Sequence, residues 1–265
     1  MFNLFGEVRA EIRQSIRESP IWIRLSFRRI QKSFRRTYLG PWWFSLEQFL
    51  FLCGFGLIRI FLFGGETVSA FVYVGFGLAG YSFVAGVIGE SASILVSTPL
   101  LKETGLSILS RVFYGISYEI ILLGFRLAPV VLIWFIYGEH SYNNLLLTLA
   151  YYPLVIFFAL ALSILIAPCG ARFRDIPPAL GVLLRLAMMA SPIVWSEDGV
   201  ANPQLARLLT NFNPLGIAVE LVRDPFIGAQ TDANRVLVLL VISALLGMLG
   251  VMVVGFTRRK VNYWI

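Results

Sequence analysis

Seven charged side chains stand inside stretches otherwise built of Leu, Ile, Val, Phe and Gly: Glu47, Arg59, Glu90, Arg111, Glu119, Arg126 and Arg185. A charge at the middle of a bilayer costs about 2.5–3.5 kcal/mol on an insertion scale. Keeping several of them points either to ion pairs between helices or to a wet path for a polar or anionic substrate. Residue types that do covalent or hydrolytic work are scarce. The lysines are Lys32, Lys102 and Lys260, and none follows a GxxxxGK[ST] loop, so the chain offers no P-loop for ATP. His140 has no ligand set near it, Cys53 and Cys169 form no CxxC, and no Ser/His/Asp set is legible. The expectation is a chain with no catalytic residue, no metal and no cofactor of its own.

Composition explains why the charges stand out. Of 265 residues, 58% are hydrophobic and 14% charged, where soluble domains carry about 25% charged residues. Mean hydropathy is +0.78. A soluble enzyme, a disulfide scaffold and a disordered chain are excluded, which leaves an all-α polytopic membrane protein. Net charge is +7, and nine of the 22 Lys and Arg lie in the first 36 positions. Arg258, Arg259 and Lys260 add a basic tail. In so apolar a chain this reads as a topology signal, and no nucleic-acid partner is expected.

A span needs about 20 residues at 1.5 Å rise each. Six are expected, at 42–63, 68–97, 113–137, 145–167, 178–195 and 236–256, making a transmembrane domain over 41–265. Basic connections (Lys102 to Arg111; Arg172 and Arg174) alternate with connections lacking Lys and Arg (Gly64–Gly65–Glu66; Gly138–Glu139–His140). The alternation places both termini in the cytoplasm and the long 196–235 connection outside. Spans one, three and five then run outward and span two inward. Glu47, Glu90, Glu119 and Arg185 should therefore lie at one level in the cytoplasmic third. Glu119 and Arg126, seven apart, share a helix face, with Arg111 close by. One polar girdle inside the bundle is the expectation. The acids gather toward one end and only Arg126 is near-central, which argues against an ion-coupled carrier.

Residues 1–40 read as an amphipathic interface arm and not as a secretory signal. Leu4, Val8, Ile12 and Ile16 form one apolar stripe, and Ile23, Phe27, Ile30 and Phe34 a second. Pro20 should break the arm into two helices, with basic side chains toward anionic lipid. Trp42, Trp43, Trp134 and Tyr137 read as membrane-interface anchors. Tyr73, Phe76, Tyr81 and Phe83 in span two serve either core packing or a saccharide path. Leu215, Ile217, Ala218, Val219 and Leu221, between Pro214 and Pro225, read as short re-entrant helix in the last outer connection.

Several short motifs now fall in order. The segment Tyr38–Leu39–Gly40–Pro41–Trp42–Trp43 leads into span one. Arg172–Phe173–Arg174–Asp175–Ile176 precedes span five, and Ser191–Pro192–Ile193 closes it. Asn213–Pro214–Leu215 with Glu220 and Arg223 lies in the last outer connection. Together they resemble the permease subunits of polysaccharide-exporting ABC transporters, within the type 2 ABC exporter superfamily, over nearly the whole chain. The resemblance implies a homodimer in the bacterial inner membrane, served by two separate ATP-binding cassette subunits that hold ATP and Mg. Its cargo would be a lipid-linked polysaccharide such as O antigen. ATPase coupling would fall on the arm and on Ser97, Thr98, Pro99, Leu100, Leu101, Lys102 and Glu103, in the 97–104 connection. Spans one, two and five would line the path, with Glu47, Arg59, Tyr73, Tyr81, Glu90 and Arg185. Arg28, Arg29, Arg35 and Arg36 would meet the pyrophosphate of the lipid carrier. Two other readings stay open: a type 2 permease for a small molecule or drug, and a stand-alone ion-coupled carrier or membrane enzyme.

Overall fold

A computed structural model describes residues 2–97, 105–137, 142–199 and 202–264. Its elements are α1 (Phe2–Arg17), α2 (Ser19–Ser33), α3 (Trp42–Phe63), α4 (Thr67–Ser97), α5 (Ile108–Tyr137), α6 (Tyr142–Arg172) and α7 (Ile176–Ala190). A short 3-10 turn (Glu197–Gly199), α8 (Pro203–Phe212), α9 (Pro214–Ile227) and α10 (Ala233–Trp264) follow. No strand occurs among the described residues.

Among the described residues, five helices are long and apolar enough to cross a membrane: Trp42–Phe63, Thr67–Val96, Ile108–Tyr137, Leu146–Arg172 and Ala233–Arg258. The expected fifth span, 178–195, is not one of them. Its place is taken by α7, whose 15 residues reach about 22 Å against a hydrocarbon core of about 30 Å. The cause is local. Ser191 precedes Pro192, and a residue before proline is driven out of the helical region. Ser191 sits at φ −90° and ψ 145°, and the helix stops.

The bundle is organised around α4. Its most apolar stretch is 78% buried, against 17% for α3 and for α10. Helices α5, α6, α9 and α3 surround it, and α10 lies on α6. Phe76 and Phe83 of α4 are fully buried core residues. The connection between α7 and α10 folds back into the bundle. Every residue of α9 from Gly216 to Pro225 is buried, and Val219 and Val222 lie against Gly77 and Gly80 of α4. Phe226 stacks on Phe76 with centroids 3.7 Å apart. This insertion makes Trp134 a core residue, 7% exposed, and not the interface anchor expected. Its indole N–H donates to the Phe226 carbonyl at 3.0 Å.

Pro20 falls in the first turn of α2, and the arm is divided there as expected. α4 and α6 approach closely, and a Cβ on Gly170 would lie 2.0 Å from the Ala92 carbonyl oxygen. Backbone cannot retreat as a flexible side chain can. Gly170→Leu should therefore cost at least about 1–3 kcal/mol and lower the unfolding temperature of the purified protein in detergent. Gly89→Ala, where a Cβ meets nothing within 4 Å, should leave that temperature unchanged.

Candidate functional site

Three regions could do work: a cleft beside α4, a clasp at the break after α7, and the seat of the arm. The cleft has a volume of about 260 Å³ and lies between α3, α4, α5 and α7. Phe44, Phe51, Phe55 and Tyr81 give it aromatic walls, and Glu47, Gln48, Ser82 and Arg126 give it polar ones. The Gln48 side chain is buried, and its Nε2 donor has no partner among the described residues. A second cleft of about 260 Å³ shares Phe55, Leu78 and Met188 with the first and continues to Ser191 and Trp195. The two form one groove along α4, flanked by α3 and α7. No residue of α7 is buried. Such a surface suits contact with lipid, with another protein, or with a cargo.

The clasp holds residues 191–195. Arg223 of α9 donates to the Pro192 carbonyl, and Arg59 of α3 to the Val194 carbonyl, each at 2.5 Å. The Tyr73 hydroxyl donates to the Trp195 carbonyl at 3.1 Å. Its ring lies between two guanidiniums, Arg59 at 3.7 Å and Arg223 at 3.9 Å. Asn213 caps α9 by accepting from the Leu215 amide, and its own amide donates to Ser191 Oγ at 3.0 Å. Backbone carbonyls of a buried non-helical segment need partners, and here three helices, α3, α4 and α9, supply them. Glu220 and Glu197 share Arg235 at 2.7 and 2.6 Å. Burial pushes the Glu197 carboxyl up, but Thr210 and Arg235 outweigh it and hold it below its usual value.

The arm is seated by two carboxylates. Glu11, 2% exposed, accepts from the Ile108 amide at 2.7 Å and from the Leu109 amide at 3.4 Å. It therefore occupies the N-terminus of α5, where free amides and the helix dipole favour negative charge. Glu18 accepts from the Ser107 amide at 3.1 Å and from Ser110 Oγ at 2.5 Å. Arg258 of α10 pairs with Glu11 at 2.8 Å and also reaches the Glu7 carbonyl and Gln14. Ser26 donates to the Tyr114 carbonyl, and Trp22 stacks on Phe113. The side of α1 that faces the protein is thus polar. Ile12, Ile16, Ile23 and Phe27 of the apolar stripes stay exposed, while Ile30 is buried.

Of the expected girdle, Glu90 and Glu119 lie in two neighbouring ion pairs that act on each other electrostatically, while Glu47 and Arg185 stand outside it on exposed surface. Arg29 grips Glu90 through both guanidinium nitrogens, at 2.5 and 2.9 Å, and lies 4.0 Å from the Tyr118 ring. Burial favours loss of the Arg29 proton, but Glu90 more than compensates and keeps the guanidinium protonated to a higher pH than usual. Glu119 pairs with Arg126 at 3.0 Å, on the helix face that their spacing shares. Gly86 makes room for it, since a Cβ there would lie 2.4 Å from Glu119 Oε2. Arg111 stands apart, donating to the Leu106 carbonyl.

The remaining expected residues scatter. Tyr81 walls the cleft, and its hydroxyl donates to the Leu184 carbonyl of α7. Glu47 and Arg185 are exposed on α3 and α7. Arg28, Arg35 and Arg36 are exposed, whereas Arg29 is engaged with Glu90. Ser97 ends α4, and the rest of the expected coupling segment, Thr98, Pro99, Leu100, Leu101, Lys102 and Glu103, lies outside the described residues. Sequence reasoning missed Glu11, Glu18, Gln48 and Arg258. The one available signal was the three acids, Glu7, Glu11 and Glu18, of an otherwise basic arm.

Two outcomes follow. Burial raises the Glu18 carboxyl, but the bonds from Ser110, Gln14 and Ser107 outweigh it, so its folded value lies below the ordinary 4.5. A depressed carboxylate contributes fully above its unfolded value and loses that contribution as pH falls through its folded one. Spin labels at Arg24→Cys and Lys260→Cys, with Cys53 and Cys169 replaced by Ala, should hold one distance at pH 7 and spread below about pH 4. Second, Arg223→Leu leaves Asp224 buried without the guanidinium 2.9 Å away. It should cost about 3–5 kcal/mol, read as a lowered unfolding temperature, whereas Arg207→Leu on exposed α8 surface should not. No family model and no curated protein sequence matches this chain.

Proposed function

We propose that two copies of this chain form the membrane conduit of an ATP-driven exporter that moves a lipid-linked polysaccharide, O antigen or a similar glycan, across the bacterial inner membrane. Two separate ATP-binding cassette subunits supply the force from the cytoplasm, where both termini lie. The observation that carries this reading is the seating of the arm: Glu11 and Glu18 hold α1 and α2 to the N-terminus of α5. That point immediately follows the 97–104 connection. Force applied to the connection or to the arm therefore enters α5 and α10 together, through Arg258.

In this reading α7, continued by 191–195, serves as the sixth crossing element. The groove beside α4 carries the glycan. Aromatic walls offer stacking faces to sugar rings, and Gln48, Ser82 and Arg126 offer hydrogen bonds to hydroxyls. Many weak contacts suit a long polymer, because one tight site would stall it. Arg28, Arg35 and Arg36, exposed at the arm, meet the carrier's pyrophosphate first. Arg29 holds the arm to α4 through Glu90.

The test is reconstitution in liposomes with the ATPase subunit and a lipid-linked glycan. Transfer should require ATP. Glu11→Ala with Glu18→Ala should lower ATP-coupled transfer several-fold while the ATPase subunits still bind nucleotide, and Lys102→Glu should lower transport-coupled hydrolysis. Transfer without nucleotide, or coupling indifferent to all three substitutions, would overturn the reading.

A further inference from the structure

Four charges lead from the arm to the first cleft. Arg29 of α2 holds Glu90 of α4 at 2.5 and 2.9 Å. Arg126 of α5 holds Glu119 at 3.0 Å and forms part of the cleft wall. Between the two pairs the acids meet across the contact of α4 with α5. Gly86 and Glu90 are four apart on α4, and Gly115 and Glu119 are four apart on α5, so each glycine shares a face with its acid. The fit is reciprocal. Glu119 fills the space beside Gly86, and Glu90 packs at Gly115, where a Cβ would lie 3.2 Å from its Cγ. Small residues at both places let the helices close on each other, and the closure brings two like charges together. Glu119 is 5% exposed and is acted on electrostatically by Glu90 and Arg29 as well as by Arg126.

Such an array is balanced only while both arginines are present. Like charges repel strongly where the dielectric is low, and a buried acid stripped of its cation is costly. Arg126 has capacity to spare. Among the described residues its hydrogen bonds run through Nη1, to Glu119 and to the Ser82 carbonyl. Its other nitrogens can serve a further acceptor.

We infer that these four groups act as one unit, through which lifting the arm draws Arg126 out of the cleft. When Arg29 leaves with α2, Glu90 and Glu119 lie side by side with one cation between them. Arg126 then serves both acids and turns away from the cleft. Glu47 is the one other charged residue lining that cleft, so the wall changes from mixed charge to acid. Groups rich in oxygen acceptors lose a donor at that moment. Coupling of this kind is reciprocal: a ligand that holds Arg126 in the cleft keeps the arm seated. The inference rests on the exporter reading for its purpose, because it turns force on the arm into release of cargo. A second route from arm to cleft also exists, through packing. Phe34 at the end of α2 meets Phe44 of α3 edge-on at 5.4 Å, and the Arg126 guanidinium lies 5.8 Å from the Phe44 ring. The two routes predict opposite signs.

The experiment uses the full chain in lipid nanodiscs with no ATPase subunit. Modification by phenylglyoxal, mapped by mass spectrometry, reads how free Arg126 is. Arg29→Gln should slow modification of Arg126 about tenfold, Arg29→Lys should leave it near wild type, and Arg29→Gln with Glu90→Gln should restore it. Hydrogen exchange of the α2 amides reads the reverse direction. Arg126→Gln leaves Glu119 drawing on Arg29, so exchange in α2 should slow several-fold, and adding Glu119→Gln should return it to wild type. Lost packing at Phe44 would instead speed α2 exchange in both Arg126 variants. Arg126 reactivity unchanged or raised by Arg29→Gln, or faster α2 exchange in Arg126→Gln, overturns the coupling. Neither measurement uses nucleotide or glycan. The coupling can therefore fail while ATP-driven transfer stands, and transfer without nucleotide removes the exporter reading while a measured coupling remains.

Discussion

Charge inside an apolar bundle has to be answered by opposite charge or by backbone dipoles, and this requirement sets where the helices of this protein sit. Arg29 fixes α2 to α4 through Glu90, and Glu119 fixes the middle of α5 to its own Arg126. Glu11 is answered twice, by the amides that open α5 and by Arg258 of α10. At the opposite end of the bundle Arg223 and Arg59 answer the carbonyls released where α7 stops. Dispersion and close packing fill the space between these points. Hydrocarbon alone is a weak discriminator among helix arrangements in a membrane, because lipid tails are as apolar as the side chains they meet.

The pairs divide the protein into parts with different freedom. The α4 helix, with α9 inserted beside it, is buried along most of its length and forms the fixed centre. The arm, α5 and α10 are joined at one end. In contrast, α3 and α7 present broad apolar surfaces and are held chiefly through the 191–195 clasp and the contacts of α3 with α4 and α5. Parts held at few points are the ones that can move without breaking the core.

Much of this was legible in the residues. Long apolar runs marked the helices able to cross a membrane, Pro20 marked the break in the arm, and the seven-residue spacing put Glu119 and Arg126 on one helix face, where they pair. The Ser191–Pro192 and Asn213–Pro214 motifs, far apart in sequence, meet through the Asn213 amide and Ser191 Oγ. Other features were not legible, for identifiable reasons. Hydropathy counts apolar residues without weighing Ser191 before Pro192, so span five was read as longer than α7. An amphipathic pattern says which face is apolar but not which face meets protein. In α1 the polar face does, through Glu11 and Ser15. Trp134 fits an interface anchor until α9 is seen to fold back over it, a contact 92 residues away in the chain.

The grip of Arg258 on α1 has a consequence for biosynthesis. Arg258 and the Glu7 carbonyl that it contacts are 251 residues apart in the chain. At a typical elongation rate the first helix waits on the order of 10–50 s before that side chain exists. Until then the nascent arm lacks one of its two anchors, and its acidic face is open to other ligands. The seating of α1 is therefore completed only when the final helix has been made, although the amides that open α5 can receive Glu11 much earlier.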